Sequence, residues 1–185
     1  ILITERSGQL RRWHQQELSD PIQGTPEVFA RGQGGLLDIT LAPSYLKNRF
    51  VYLSYAKADS SGRSSTALGY GRLSEDHQRL ENFTEIFEQQ PKLSSGLHYG
   101  NRIVFGPKGV LFLALGDNNQ RSTAQDLDKH QGKIVRLQDA DRPPVDNPFL
   151  NTPGAKPEIW SYGHRNQQGA AINPWTHQFW AHEHG

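Results

Sequence analysis

The residues with most to offer chemically lie between Leu93 and Asp117, in the run LSSGLHYGNRIVFGPKGVLFLALGD. His98 stands in a loop flanked by Gly96 and Gly100. Two short apolar segments follow, Arg102 to Phe105 and Val110 to Leu115, joined by a Gly106-Pro-Lys-Gly109 turn. This pattern predicts a β-hairpin, with Asp117 just beyond its second strand. An antiparallel pair returns the chain close to its starting level, so His98 and Asp117 are expected to be neighbours. A carboxylate accepting from one ring nitrogen fixes the tautomer and leaves the other nitrogen free as a general base. The same residues also read as an ordinary loop histidine with a hydrogen-bonded neighbour, and the spacing alone does not separate the two readings. A second group, His177, His182, Glu183 and His184, suggests zinc. On a strand, however, residues 182 and 184 share one face while Glu183 points to the other, so no metal ligand is assigned.

Those side chains need a scaffold, and the pattern supplies short strands and turns with almost nothing of helical period. Ile1 to Glu5 and Gln9 to His14 flank Ser7-Gly8 as a hairpin would. Gly35 to Leu41 alternates, with Leu37, Ile39 and Leu41 on one face; Phe50 to Ala56 follows after a loop holding Pro43 and Asn48. Ala67 to Leu73 and Phe83 to Gln89 are further strands. Asn118 to Gln131 reads as a polar loop with one helical turn near Asp126 to His130, and Lys133 to Leu137 resumes a strand. The run from Asp141 to Pro157 carries five prolines, which forbid a central strand and predict a surface excursion. Ile159 to Gly163, Ala170 to Asn173 and Gln178 to His182 complete the series.

The strands recur. Polar tips at Thr4, Ser54, Gly116 and Glu183 lie 50, 62 and 67 residues apart, the scale of propeller blades of about four strands each. The expected fold is therefore an all-β propeller, and at about 50 to 65 residues per blade the chain holds about three blades. A β-sandwich with long loops is the competitor, but it would show shorter and more regular spacing.

Bulk composition narrows the function classes. The 185 residues suffice for one ordinary domain, and no run of 18 apolar residues could cross a membrane. Lys and Arg number 20 against 19 Asp and Glu, scattered along the chain, which gives no electrostatic footprint for nucleic acid or an anionic membrane. With no cysteine, disulfides, thiolate metal sites and Cys nucleophiles are excluded, and an oxidising compartment such as a periplasm is suited. The first residue already lies inside a strand-like run and the chain has no methionine, so residues 1–185 are expected to be a single partial domain truncated at both ends.

Several stretches, in order from end to end, are the most informative feature. They are Ile3-Thr-Glu-Arg6, Ala30-Arg-Gly-Gln-Gly-Gly-Leu-Leu-Asp38, Asn48-Arg-Phe-Val-Tyr-Leu-Ser-Tyr-Ala56, Ser94-Ser-Gly-Leu-His-Tyr-Gly100, Leu115-Gly-Asp-Asn-Asn-Gln-Arg121, Gln125-Asp-Leu-Asp-Lys129, Gln131-Gly-Lys133, Ile159-Trp-Ser-Tyr-Gly-His-Arg-Asn166 and Glu183-His-Gly185. As an ordered set they resemble the soluble aldose sugar dehydrogenases, the quinoprotein family also called glucose/sorbosone dehydrogenases. The resemblance implies a six-bladed propeller, of which this chain is the N-terminal half, holding pyrroloquinoline quinone (PQQ) with calcium. It also implies oxidation of an aldose at C1 to the lactone, with electrons passed to an acceptor, in a periplasmic or secreted protein.

Residue by residue, His98 matches the family's catalytic base and Asp117 the acid that orients it. Arg165 and Asn166 match cofactor contacts; a guanidinium suits a tricarboxylate with an ortho-quinone. Gln33, between Gly32 and Gly34, matches the glutamine near quinone and substrate, its amide able to donate and accept. One departure stands out: Gln167 follows Arg165-Asn166 where the family usually has Pro, which restores backbone freedom there. The calcium ligands of the family mostly follow the position of Gly185. Two other functions stay open, a metal-dependent lactonase and a non-catalytic propeller that binds sugar or protein. Open sheet edges in a partial ring would also favour self-association.

Overall fold

A computed structural model describes residues 1–138 and 142–185. Among these described residues, thirteen strands in chain order carry the architecture. β1 (Leu2–Thr4), β2 (Leu10–His14) and β3 (Glu17–Leu18) form a three-stranded sheet. β4 (Leu36–Leu41), β5 (Phe50–Ala58), β6 (Ser64–Leu73) and β7 (Leu80–Glu88) form a four-stranded meander, and β8 (Gly100–Phe105), β9 (Leu111–Leu115), β10 (Lys133–Leu137) and β11 (Ile159–Tyr162) form a second. β12 (Gln167–Ile172) and β13 (Phe179–Glu183) make a two-stranded sheet. Neighbouring strands pair antiparallel throughout these sheets. A four-stranded antiparallel meander taken in chain order is a propeller blade. The described chain is thus all-β, with two complete blades between two partial sheets.

The first strands β4, β8 and β12 begin at Leu36, Gly100 and Gln167, so the structural repeat is 64 and 67 residues. The polar tips Ser54, Gly116 and Glu183 mark its second strands, whereas Thr4 ends the first strand of a sheet of only three; β4 starts 34 residues after β1, at Leu36 against Leu2, so the first spacing read from sequence is short. β8 lies beside both β4 and β12, and β1 beside β4, so the first strands stand in a row and form one wall.

Blade-to-blade burial holds the row together. Leu10, Val51, Leu53, Tyr55 and Leu80 fill the space between the three-stranded sheet and the first blade. Leu68, Phe87, Ile103, Leu113 and Val135 fill the space between the two blades. β9 explains how one strand serves two cores: Leu111, Leu113 and Leu115 face the first blade, while Phe112 and Ala114 face the other way, against Ile172 and Phe179 of the last sheet. All five of its residues are buried, as expected for a strand covered on both faces.

Two local differences from the expected elements have identifiable causes. The helical turn expected near Asp126 to His130 lies earlier, as a 3-10 turn over Arg121–Gln125. Its carbonyls at Thr123 and Ala124 are drawn to the buried ammonium of Lys133, 3.0 and 2.9 Å away, a long-reach contact that periodicity does not reveal. A single helical turn also forms at Tyr45–Asn48 within the expected loop. In the Pro-rich stretch, Asp141 lies outside the described residues. The rest is anchored by Asn147, which accepts from Arg136 Nε (2.7 Å) and donates to the carbonyls of Arg136 and Pro157, while Arg136 stacks 4.1 Å from the Trp160 ring centre.

Candidate active site

The site grows from the entry of β8 and the exit of β9. Gly100 pairs with Leu115 at the end of that ladder, and beyond it the two chains stay zipped: Gly116 N–H donates to Tyr99 O (3.0 Å) and Asn118 N–H to His98 O (3.2 Å). Only glycine permits this approach, because a Cβ on Gly116 would sit 1.8 Å from the His98 carbonyl oxygen. His98 itself adopts φ 49°, a left-handed conformation that turns its side chain back toward the hairpin exit.

The result is a short hydrogen bond between two nearly buried side chains, His98 Nδ1 to Asp117 Oδ1 at 2.8 Å. Asn119 N–H also donates to Asp117 Oδ1 (2.7 Å), so the carboxylate is held from its own loop as well. Nδ1–H facing a carboxylate leaves the lone pair on Nε2, which has no hydrogen-bond partner among the described residues. Gln33 arrives from the loop before β4: its N–H donates to Gly96 O (2.8 Å) and its Oε1 accepts His98 N–H (2.8 Å). Asn166 comes from the start of β12, with Oδ1 accepting from Gly100 N–H (3.2 Å) and Gln168 Nε2 (2.9 Å).

His98, Gln33 and Asn166 share the wall of one open cleft of about 540 Å³. Arg165 is placed differently. Its carbonyl accepts Asp117 N–H (2.8 Å), but its guanidinium turns to the carbonyl and ring nitrogen of His184 (2.7 and 3.0 Å), in an adjoining cavity of about 430 Å³ that Asp117 also lines. Glu183 fixes this corner, its Oε2 accepting the backbone N–H groups of both Arg165 and Asn166. Among the described residues no group of three or more His, Cys, Asp or Glu could hold a metal ion.

Comparison with known proteins places the whole chain. The model of the Glucose / Sorbosone dehydrogenase family matches residues 1–185. The chain belongs to the glucose/sorbosone dehydrogenase family. It is 55% identical over 186 residues to aldose sugar dehydrogenase YliI of Escherichia coli (strain K12), covering 100% of this chain and 50% of that protein. The crystal structure of the soluble aldose sugar dehydrogenase from Escherichia coli in the apo-form superposes with a TM-score of 0.97 at 55% identity, over 100% of this chain and 53% of the other. The PQQ-bound aldose sugar dehydrogenase from Streptomyces coelicolor superposes with a TM-score of 0.82 at 28% identity, again over 100% and 53%. The chain spans about half the length of the curated relatives it matches.

This glucose/sorbosone dehydrogenase chain also holds residues that the sequence reading left unassigned. Arg6, Asn101 and Arg102 line the same cleft. Arg102 ties three sheets together, donating to Asp38 (2.9 Å) and to Gln168 O (2.7 Å), and its place two residues after Gly100 was the available signal. A second histidine–carboxylate pair joins His130 Nε2 to Glu158 Oε1 at 2.6 Å. Gln167 opens β12 opposite Glu183; it is 1% exposed, and neither of its amide atoms has a hydrogen-bond partner among the described residues, which leaves two buried polar groups there.

Proposed function

We propose that this chain supplies the proton-abstracting part of a quinoprotein that oxidises an aldose at C1 to the lactone, with His98 as general base. The observation that carries this reading is the 2.8 Å His98–Asp117 hydrogen bond on a ring whose other nitrogen is unpartnered among the described residues of an open polar cleft. Nε2 accepts the proton of the C1 hydroxyl as the C1 hydride leaves and the carbonyl forms. Asp117 keeps the lone pair on that nitrogen and stabilises the imidazolium that results. Bound PQQ would take the C1 hydride and pass the electrons to an external acceptor.

The residues present suit such a cofactor in part. Asn166 and Gln33 offer amides on the cleft wall, and Arg165, one residue away, offers a cation for a carboxylate or a quinone oxygen. We assign these three to the cofactor. Relatives named as an aldose sugar dehydrogenase and as a PQQ-bound aldose sugar dehydrogenase support the substrate class and the cofactor. Calcium enters through the family resemblance alone, and no residue of this chain is given a calcium role. Two complete blades together with half-length coverage of relatives support reading the chain as about half of a six-bladed ring, which the family resemblance takes as the N-terminal half. A cysteine-free composition suits a periplasmic or secreted location.

The test is reconstitution of the full-length protein with PQQ and calcium, followed by addition of an aldose. Bleaching of the quinone absorbance with formation of the lactone is expected. Lactone hydrolysis without quinone would favour a lactonase instead, and sugar binding with neither reaction would favour a binding module.

A further inference from the structure

Arg6 lies in the turn after β1, His98 in the loop before β8, and no carboxylate pairs with Arg6 among the described residues. Its Nη1 instead donates to the carbonyls of Gly32 (3.1 Å) and Gly34 (3.2 Å), with Ala30 O at the 3.5 Å limit. We propose that Arg6 is a positioning residue for the general base, acting through Gln33. The inference rests on the reading of His98 given above.

The argument starts from the loop between Ala30 and Gly35. Three of its residues are Gly32, Gly34 and Gly35, and each is required by close approach: a Cβ would fall 2.4 Å from Gly96 O, 2.7 Å from Phe29 O and 2.0 Å from Arg6 O respectively. A glycine-rich strip of this kind is free to wander unless it is tied from outside. Its carbonyls at residues 30, 32 and 34 converge on Arg6, along one edge. From the residue between the last two, Gln33, the N–H reaches Gly96 O and the side-chain oxygen accepts His98 N–H. Arg6 therefore holds one edge of a strip whose other edge holds the backbone of the base. A lysine in its place would carry a point charge without the planar fork.

Amide exchange read by NMR tests the tie independently of catalysis. Arg6→Ala is expected to speed exchange at His98 N–H and Gln33 N–H roughly five- to tenfold, the worth of about one hydrogen bond. Amides in β5 and β6 should keep their rates, and millimolar guanidinium should restore protection at the two loop sites. In the reconstituted enzyme kcat should fall about tenfold with KM for the sugar little changed, because a misaimed base affects the chemical step. Should Arg6→Ala fail to fold, Arg6→Gln, which keeps a shorter donor, is expected to show a smaller version of the same local effect. Unchanged exchange at His98, or faster exchange spread evenly over the chain without guanidinium rescue, would overturn the proposal. If the wild type oxidises no aldose while the exchange pattern appears as stated, the tie stands and it is the dehydrogenase reading that fails.

Discussion

His98 and His130 each hydrogen-bond a carboxylate, and the difference between them is which nitrogens remain. His130 spends both: Nε2 on Glu158 and Nδ1 as acceptor for Gln90 N–H at 2.9 Å. His98 spends one, on Asp117. Replacing His98 with Ala is accordingly expected to lower turnover at saturating sugar by about 10²- to 10⁴-fold while PQQ affinity holds, since the base acts on substrate. Equal loss of cofactor affinity, followed by quinone absorbance, would count against the role. Arg165→Ala should weaken PQQ binding as well as turnover in a titration of the full-length protein, because a cation suited to carboxylate is removed. Undiminished affinity would remove Arg165 from the cofactor set and leave it as an anchor for His184. His98 and Asp117 were legible because a local hairpin brings them together. Gln33 lies 65 residues from His98 and the His130–Glu158 pair spans 28 residues, so no local spacing signals either contact, and only the resemblance drew attention to Gln33.

At the scale of elements, the strands were the legible part and the polar straps between them were not. β10 was expected at Lys133 to Leu137 and has those bounds, because an apolar run between polar loops is enough to specify it. β3, with two exposed residues, carries no such signal. The strap built on His130 joins the Gln90 turn to Glu158 at the end of the Pro-rich stretch, and it makes stability depend on pH. Burial pushes the His130 pKa down, against the upward pull of Glu158; Lys156 and Lys133 push it further down. The geometry agrees, since a protonated Nδ1 would set two donors against each other at Gln90 N–H. With the folded value depressed, the unfolded chain binds the proton first as pH falls through about 6.5, and stability drops below that point. Glu158 is also held below its ordinary range, with His130 hydrogen bonding opposing burial, so its contribution is present above that range and is lost as pH falls further. Denaturant midpoints measured from pH 7.5 to 5 should decline in the wild type. His130→Asn should be less stable at pH 7 and show a flatter decline, and an unchanged slope would remove His130 from the account.

The whole molecule is a row of sheets whose first strands face a common cleft, and that row was legible from recurrence once Ser54, Gly116 and Glu183 were seen to occupy equivalent strands. Its ends behave differently from its middle. β9 is buried on both faces, whereas β13 pairs only with β12 and leaves four of its five residues exposed. Trp180 on that strand is 61% exposed and Trp175 in the preceding turn 85%, and Phe179, on the same strand, lines an apolar groove with Phe112 and Trp160. A strand with an unpaired edge and bulky apolar side chains invites another strand. We therefore expect the isolated 185-residue chain to self-associate through this end and to oxidise little or no sugar. The catalytic side of the argument is Arg165: with its guanidinium on His184 in an open cavity, a tricarboxylate would meet cations on one side and water on the other, and multidentate recognition would be lost. Sedimentation of the purified chain and dye-linked aldose oxidation with added PQQ and calcium measure the two halves of this expectation. A monomer that turns over sugar as fast as the full-length protein would show that two blades and their flanking sheets already form a complete cofactor site.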